Sequence, residues 1–261
     1  MNDPLDLNRD KLFEHWHRQY RRLLKRQQVL LKQSRTQGLP EQIHELRVTL
    51  RRLRLMVRVS APLLNRDAAQ RYRRWSRRIT NATSHLRDFD VTLEWLASQQ
   101  IDPRFTQTLE DRRWRLWKMA RRRFLPPPPE VQSAVRRLET SKRGRQKLSR
   151  RYPERFARLH ARVITQIPNF FAFNEADRHA FRRTIRLLRY LREFALTGRQ
   201  REQDLLLKAL SRPQAAMGEY QNVLLARQII DTIESPAPPP ALRRALDRAM
   251  SCWQREIKAG L

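Results

Sequence analysis

Long stretches of this chain place apolar residues three and four positions apart, the spacing that returns side chains to one face of an α-helix. Glycine is scarce, with 5 residues in 261, and many segments lack proline, so strands joined by tight turns find little support. The predicted fold class is all-α. Breakers at Gly38-Leu39-Pro40, Pro62, Asp102-Pro103, the tetraproline Pro126 to Pro129, Pro168, Gly198 and the Pro236 to Pro240 cluster divide the chain into about eight helices. These are expected at roughly 8–37, 41–60, 66–99, 104–124, 131–167, 175–197, 201–233 and 240–259. Pro153 and Pro213 are expected to kink or split two of them. No helix can cross the stiff tetraproline run, which predicts two four-helix halves, 8–125 and 130–260, inside one domain covering 1–261.

Charge changes the picture. Fifty-six Lys and Arg stand against 26 Asp and Glu, a formal net charge of +30, which selects nucleic acid, an anionic membrane or a polymeric phosphate as candidate partners. Only eight of the 56 are Lys, leaving 48 Arg, the planar fork that grips phosphate oxygens in pairs. Codon bias produces such a ratio too, so the positions of the arginines matter more than their number. Hydrophobic residues at 40% suffice for packed helical cores and argue against a disordered polycation. Cys252 is the one cysteine, so no intrachain disulfide forms, and its bland reading is a packing residue. The first residues, MNDPLDLNRDKLFEHW, carry early acids and no apolar core of signal-peptide length. No apolar run approaches the roughly 18 residues of a membrane span, and a cytoplasmic protein without a membrane partner is expected.

Residues 44–58 read HELRVTLRRLRLMVR, which puts His44, Arg47, Arg51, Arg54 and Arg58 on one narrow stripe opposite Leu46, Leu50, Leu53 and Val57. No acid lies between Glu45 and Asp67, so these arginines, with Arg52 beside them, lack partners at helical spacing. The pattern returns 135 positions later, where His179, Arg182, Arg186 and Arg189 repeat the basic face and Phe181, Ile185 and Leu188 the apolar one. Two faces recurring in one register point to an internal duplication. A lone basic stripe is usually a solvated outer face; the repeat and the missing acids favour a binding role here.

Ile43, His44, Leu46, Arg47, Val48, Arg51, Arg52, Leu53 and Arg54, followed by Arg87, Asp88, Asp90 and Val91, resemble the signature of the conserved histidine α-helical domain, or CHAD, family. A looser second copy is carried by His179, Phe181, Arg182, Arg183, Arg186, Leu188, Arg189 and Tyr190. There Leu187 replaces the basic residue that Arg52 supplies, Glu193 stands where Arg58 would recur, and Asn222 replaces the usual acid. The resemblance implies two pseudo-symmetric four-helix bundles whose basic residues face a shared groove or pore that binds inorganic polyphosphate. On that reading Arg47, Arg51, Arg54, Arg58, Arg182, Arg186 and Arg189 contact phosphate directly, and Arg52 and Arg183 line the groove edges. His44 and His179 either donate to phosphate or cap a neighbouring helix through a neutral ring.

Other chemistry finds little footing. Asp88 and Asp90 lie two apart, so they point to different sides of a helix and suggest an interhelical ion pair that orients motif arginines rather than a metal site. No metal and no cofactor are expected. The Glu-x-Glu-x-Lys pattern of tunnel triphosphatases, a Gly-rich phosphate loop and a nucleophile elbow are all missing, so no enzyme is expected. Trp16, Tyr20, Trp75, Trp95, Trp114, Trp117 and Trp253 read as core or rim packing rather than base-stacking platforms. The alternative function is RNA or DNA binding by the same basic surface, non-specific in sequence. A third reading has the protein attach to polyphosphate granules and present its outer helices to a protein partner.

Overall fold

The computed structural model describes residues 9–60, 66–99, 103–130, 133, 142–196, 198–234 and 237–258. Helix α1 (Arg9–Thr36) is followed by α2 (Pro40–Val59), α3 (Arg66–Ala82), α4 (Ser84–Ala97) and α5 (Pro103–Ala120), which runs into a 3-10 turn at Arg121–Arg123. After the tetraproline come α6 (Lys142–Gln166), a 3-10 turn (Ile167–Ala172), α7 (Glu175–Ala195), the short α8 (Gly198–Gln203), α9 (Leu205–Asp231) and α10 (Pro240–Lys258). The fold is all-α, with no strand among the described residues. The start of the predicted fifth helix, Pro62, Asp102 and Pro236 lie outside the described residues.

Two predicted boundaries shift. The single helix expected over 66–99 is divided at Thr83, and Asp204 separates the short α8 from α9, where its Oδ1 accepts from the Leu207 N–H at 2.8 Å. Neither Pro153 nor position 213 splits its helix: α6 and α9 each run through without a break. Proline tolerates a helix interior where packing outweighs the one lost hydrogen bond.

Helices α2 and α7 are repeats in three dimensions as well as in sequence. Their first residues, Pro40 and Glu175, lie at the 135-residue offset, as do the capping residues Leu39 and Asn174. Burial follows the same register: Leu46, Thr49, Leu50, Leu53, Leu55, Met56 and Val59 of α2 correspond to Phe181, Thr184, Ile185, Leu188, Tyr190, Leu191 and Phe194 of α7, all buried. Because the buried positions match, the two arginine stripes leave their helices on equivalent faces.

The apolar faces feed three clusters. One is built within the first half from Leu30, Ile43, Leu46, Leu50, Ile79, Leu86 and Trp117. A larger one joins Trp16, Tyr20, Leu53, Met56 and Tyr72 to Tyr152, Phe156, Phe181, Leu188 and Leu191, and so crosses the tetraproline boundary. The third also crosses it, packing Leu96, Phe105 and Leu109 against Ala226, Ile230 and Leu242. Leu46 and Leu50 of α2 enter one cluster while Leu53 and Met56 enter another, which pins this helix along its length. Trp16, Tyr20 and Trp117 are core residues, whereas Trp114 is half exposed; Cys252 is exposed on α10 instead of packed.

Candidate anion-binding groove

Complete burial of Leu46, Leu50 and Leu53 turns the opposite face of α2 outward, and Arg47, Arg51, Arg54 and Arg58 line a cavity of about 600 Å³. Helix α7 supplies the facing wall through Arg183, Arg186, Leu187 and Tyr190. Helix α3 closes one side with Arg73, Arg77, Thr80 and Asn81. Basic residues of both sequence halves therefore share one space.

The α3–α4 break is part of this site. Thr83 donates its hydroxyl back to the Ile79 carbonyl at 2.9 Å and leaves helical geometry. Arg47 Nη1 donates to the freed Thr80 carbonyl at 2.5 Å and to Thr83 Oγ1 at 2.9 Å. A cation at a helix C-terminus satisfies orphan carbonyls and complements the helix dipole. Arg54 Nη1 donates to Thr80 Oγ1 at 2.9 Å, so one threonine aims two neighbouring arginines. In the second half Arg182 packs against Gly218, where a Cβ would meet its Nη2 at 3.3 Å. Arg182 and Gly218 correspond to Arg47 and Thr83 at the same offset. Lacking a hydroxyl there, Arg182 donates instead to Gln221 Oε1, and Gln221 Nε2 lies 3.0 Å from His179 Nδ1.

Electrostatically the groove is overcharged. Burial, and after it the neighbouring Arg51 charge, pulls Arg47 and Arg54 down to about 10. Burial followed by surrounding guanidiniums also lowers Arg51, Arg58 and Arg182, with Arg73 and Arg77 acting on Arg58 and Arg51 on Arg182. Arg186 moves the same way, from burial first and then Arg51. All remain cations at neutral pH. Arg51 is the focus: its Nε is buried without a hydrogen-bond partner, and Arg87, Arg189 and Arg52 all act on it unfavourably. A buried donor without a partner costs about 1–3 kcal/mol, and like charges add to that cost. An anion placed among these residues relieves both penalties.

Not every expected residue faces this space. Arg52 donates to Glu193 at 2.5 Å and Arg189 Nε lies 3.2 Å from the same carboxylate, so both are engaged by one shared anion and are not among the cavity's lining residues. His44 opens onto a separate cavity of about 1140 Å³ whose walls carry Glu41, Glu45, Glu94, Glu110 and Asp111. Partial burial and then the charges of Arg87 and Arg51 hold its imidazole below the usual histidine range. His179 is depressed likewise, by burial and then Arg183 and Arg182, and accepts a hydrogen bond from Gln221 in its neutral form. Asp90 forms an interhelical pair, though with Arg113 of α5 and not with a motif arginine; Arg113 also donates to the Gly38 carbonyl at 2.7 Å. Asp88 feels the Arg47 charge, while burial holds its carboxyl above its ordinary range.

The CHAD domain family matches residues 14–231. The chain belongs to the CHAD family. A crystal structure of the CHAD domain from the plant Ricinus communis superposes with a TM-score of 0.64 at 17% identity, covering 95% of this chain and 87% of that one. PptA from Streptomyces chartreusis gives a TM-score of 0.53 at 16% identity, over 97% of this chain and 96% of that one. No curated protein sequence matches. CHAD domains are associated with polyphosphate binding as a family. In this CHAD chain no group of three or more His, Cys, Asp or Glu among the described residues is placed to hold a metal ion. No helix among them is long and apolar enough to cross a membrane.

Sequence reasoning overlooked Arg73, Arg77 and Tyr190 as groove residues of the CHAD fold. A signal for the first two was present, because no acid stands between Asp67 and Asp88 and Arg73 and Arg77 are four apart. The Tyr190 ring lies 4.9 Å below the Arg52 guanidinium and 5.7 Å from that of Arg189, a stacking that only the fold creates.

Proposed function

We propose that this chain binds inorganic polyphosphate in the groove between α2, α3 and α7, as a non-catalytic module. Arg47, Arg51, Arg54, Arg58, Arg183 and Arg186 make the phosphate contacts, joined by Arg73 and Arg77. The observation that carries the reading is the position of Arg51, buried without a partner at Nε where guanidiniums of both halves converge. Such a site is costly when empty and favourable when filled by a continuous string of anions. Polyphosphate supplies one charge per unit and no bases, which suits a lane lined mainly by arginines and containing no carboxylate. The lining, arginines with Tyr190, Thr80, Asn81 and Ser84, pairs no nucleophile with a general base, which supports binding without turnover. We assign the protein to cytoplasmic polyphosphate granules, where such a lane attaches it to the polymer and leaves its outer helices for a protein partner.

Competition between long-chain polyphosphate and RNA of equal phosphate count, at one moderate salt concentration, tests the assignment. Polyphosphate displaces RNA at equimolar phosphate if the reading holds. Clear displacement of polyphosphate by RNA replaces it with nucleic-acid binding.

A further inference from the structure

The two halves of the groove are not equivalent, and one of the differences is a carboxylate. At the 135-residue offset Arg58 corresponds to Glu193. In the first half the basic stripe continues to Arg58, beside Arg73 and Arg77. In the second half it stops, because Glu193 Oε2 takes Arg52 Nη2 at 2.5 Å and Oε1 takes Arg189 Nε at 3.2 Å. Both arginines flank the ring of Tyr190, which lines the cavity, and both charges reach Arg51. The Glu193 backbone carbonyl is itself held by Arg201 Nε at 2.8 Å, which ties the main chain here to the short α8.

We propose that Glu193 is a specificity-determining residue of the polyanion site: a resident anion that occupies the phosphate position between Arg52 and Arg189 and ends the lane there. This rests on the polyphosphate reading above. The lane is consequently one-sided. A bound chain runs along Arg186, Arg51 and Arg54 and leaves past Arg58 and Arg77, and it is turned away on the Tyr190 side of the cavity, where Glu193 holds Arg52 and Arg189. Arg52 and Arg189 serve as positioning residues, bracing α2 against α7, and take no part in phosphate contact.

The test is the salt dependence of polyphosphate affinity, which counts the cations engaged at about 0.7 in logarithmic slope for each one on a flexible single chain. Glu193→Gln releases two guanidiniums into the lane. Its slope is expected to steepen by about 1.4 and its affinity at low salt to rise roughly tenfold. The double variant Arg52→Gln/Glu193→Gln restores the wild-type charge balance and releases one cation, so its slope steepens by about 0.7. A carboxylate with a purely structural role lowers Tm on substitution and leaves both slopes at the wild-type value, and that result overturns the proposal. Wild-type protein without measurable polyphosphate affinity overturns the underlying reading instead, so the two failures are distinguishable.

Discussion

Arg51 carries its charge where burial and its neighbours oppose it, which sets binding against stability at a single residue. Replacing it with methionine keeps volume and packing while removing an unsatisfied donor worth about 1–2 kcal/mol. Arg51→Met is therefore expected to raise Tm by roughly 2–6 °C while weakening polyphosphate binding about tenfold. A fall in Tm with unchanged affinity contradicts this account. The histidines give a second residue-scale prediction. His179 in the folded protein sits below its unfolded value of about 6.5, so the unfolded state binds more protons between the two. Its contribution to stability is complete above about 6.5 and is lost as pH falls through that window toward the folded value. Bound polyphosphate offsets the Arg182 and Arg183 charges, and an NMR titration of the His179 ring should move to higher pH when polymer is added.

Helices as elements were legible from apolar spacing together with the Gly and Pro breakers, since α2 and α7 begin within one residue of their predicted starts. The stripes were legible as well, because apolar residues at matching positions fix which face is left for arginine. The break at Thr83 was not. Residues 79–86, Ile-Thr-Asn-Ala-Thr-Ser-His-Leu, hold neither Gly nor Pro. At the break Thr83 leaves helical geometry, and Arg47, from another helix, takes up the Thr80 carbonyl. A long-range contact of that kind leaves no local trace. The pairing of Arg52 with Glu193, 141 residues away, is hidden for the same reason. The α1–α2 turn offers a test at this scale. Gly38 has φ +66°, and a Cβ there would stand 2.0 Å from Trp117 Nε1, whose N–H donates to the Ser34 carbonyl at 2.8 Å. Gly38→Ala is expected to cost about 2–4 kcal/mol from backbone strain and overpacking. In thermal unfolding this appears as a loss of roughly 5–12 °C, and an unchanged Tm would show that α1 and α2 meet differently.

At the scale of the whole molecule, a net charge of +30 and an overcharged groove make ligand and fold interdependent. Polyphosphate at about a hundred times its Kd is expected to add about 2.7 kcal/mol, a Tm increase of roughly 5–10 °C that shrinks as salt screens the arginines. Because two of the three apolar clusters draw on both sides of the tetraproline run, unfolding of the described helices should be one cooperative event, with groove and cores lost together. The central claim is that arginines from both repeats act on one polyanion. Reversing one charge on each side tests it most directly: Arg51→Glu combined with Arg186→Glu leaves the apolar faces of α2 and α7 untouched. With helical content unchanged by circular dichroism, long-chain polyphosphate affinity at moderate salt is expected to fall by at least a hundredfold. Affinity equal to that of the wild type would place the polymer elsewhere on the protein.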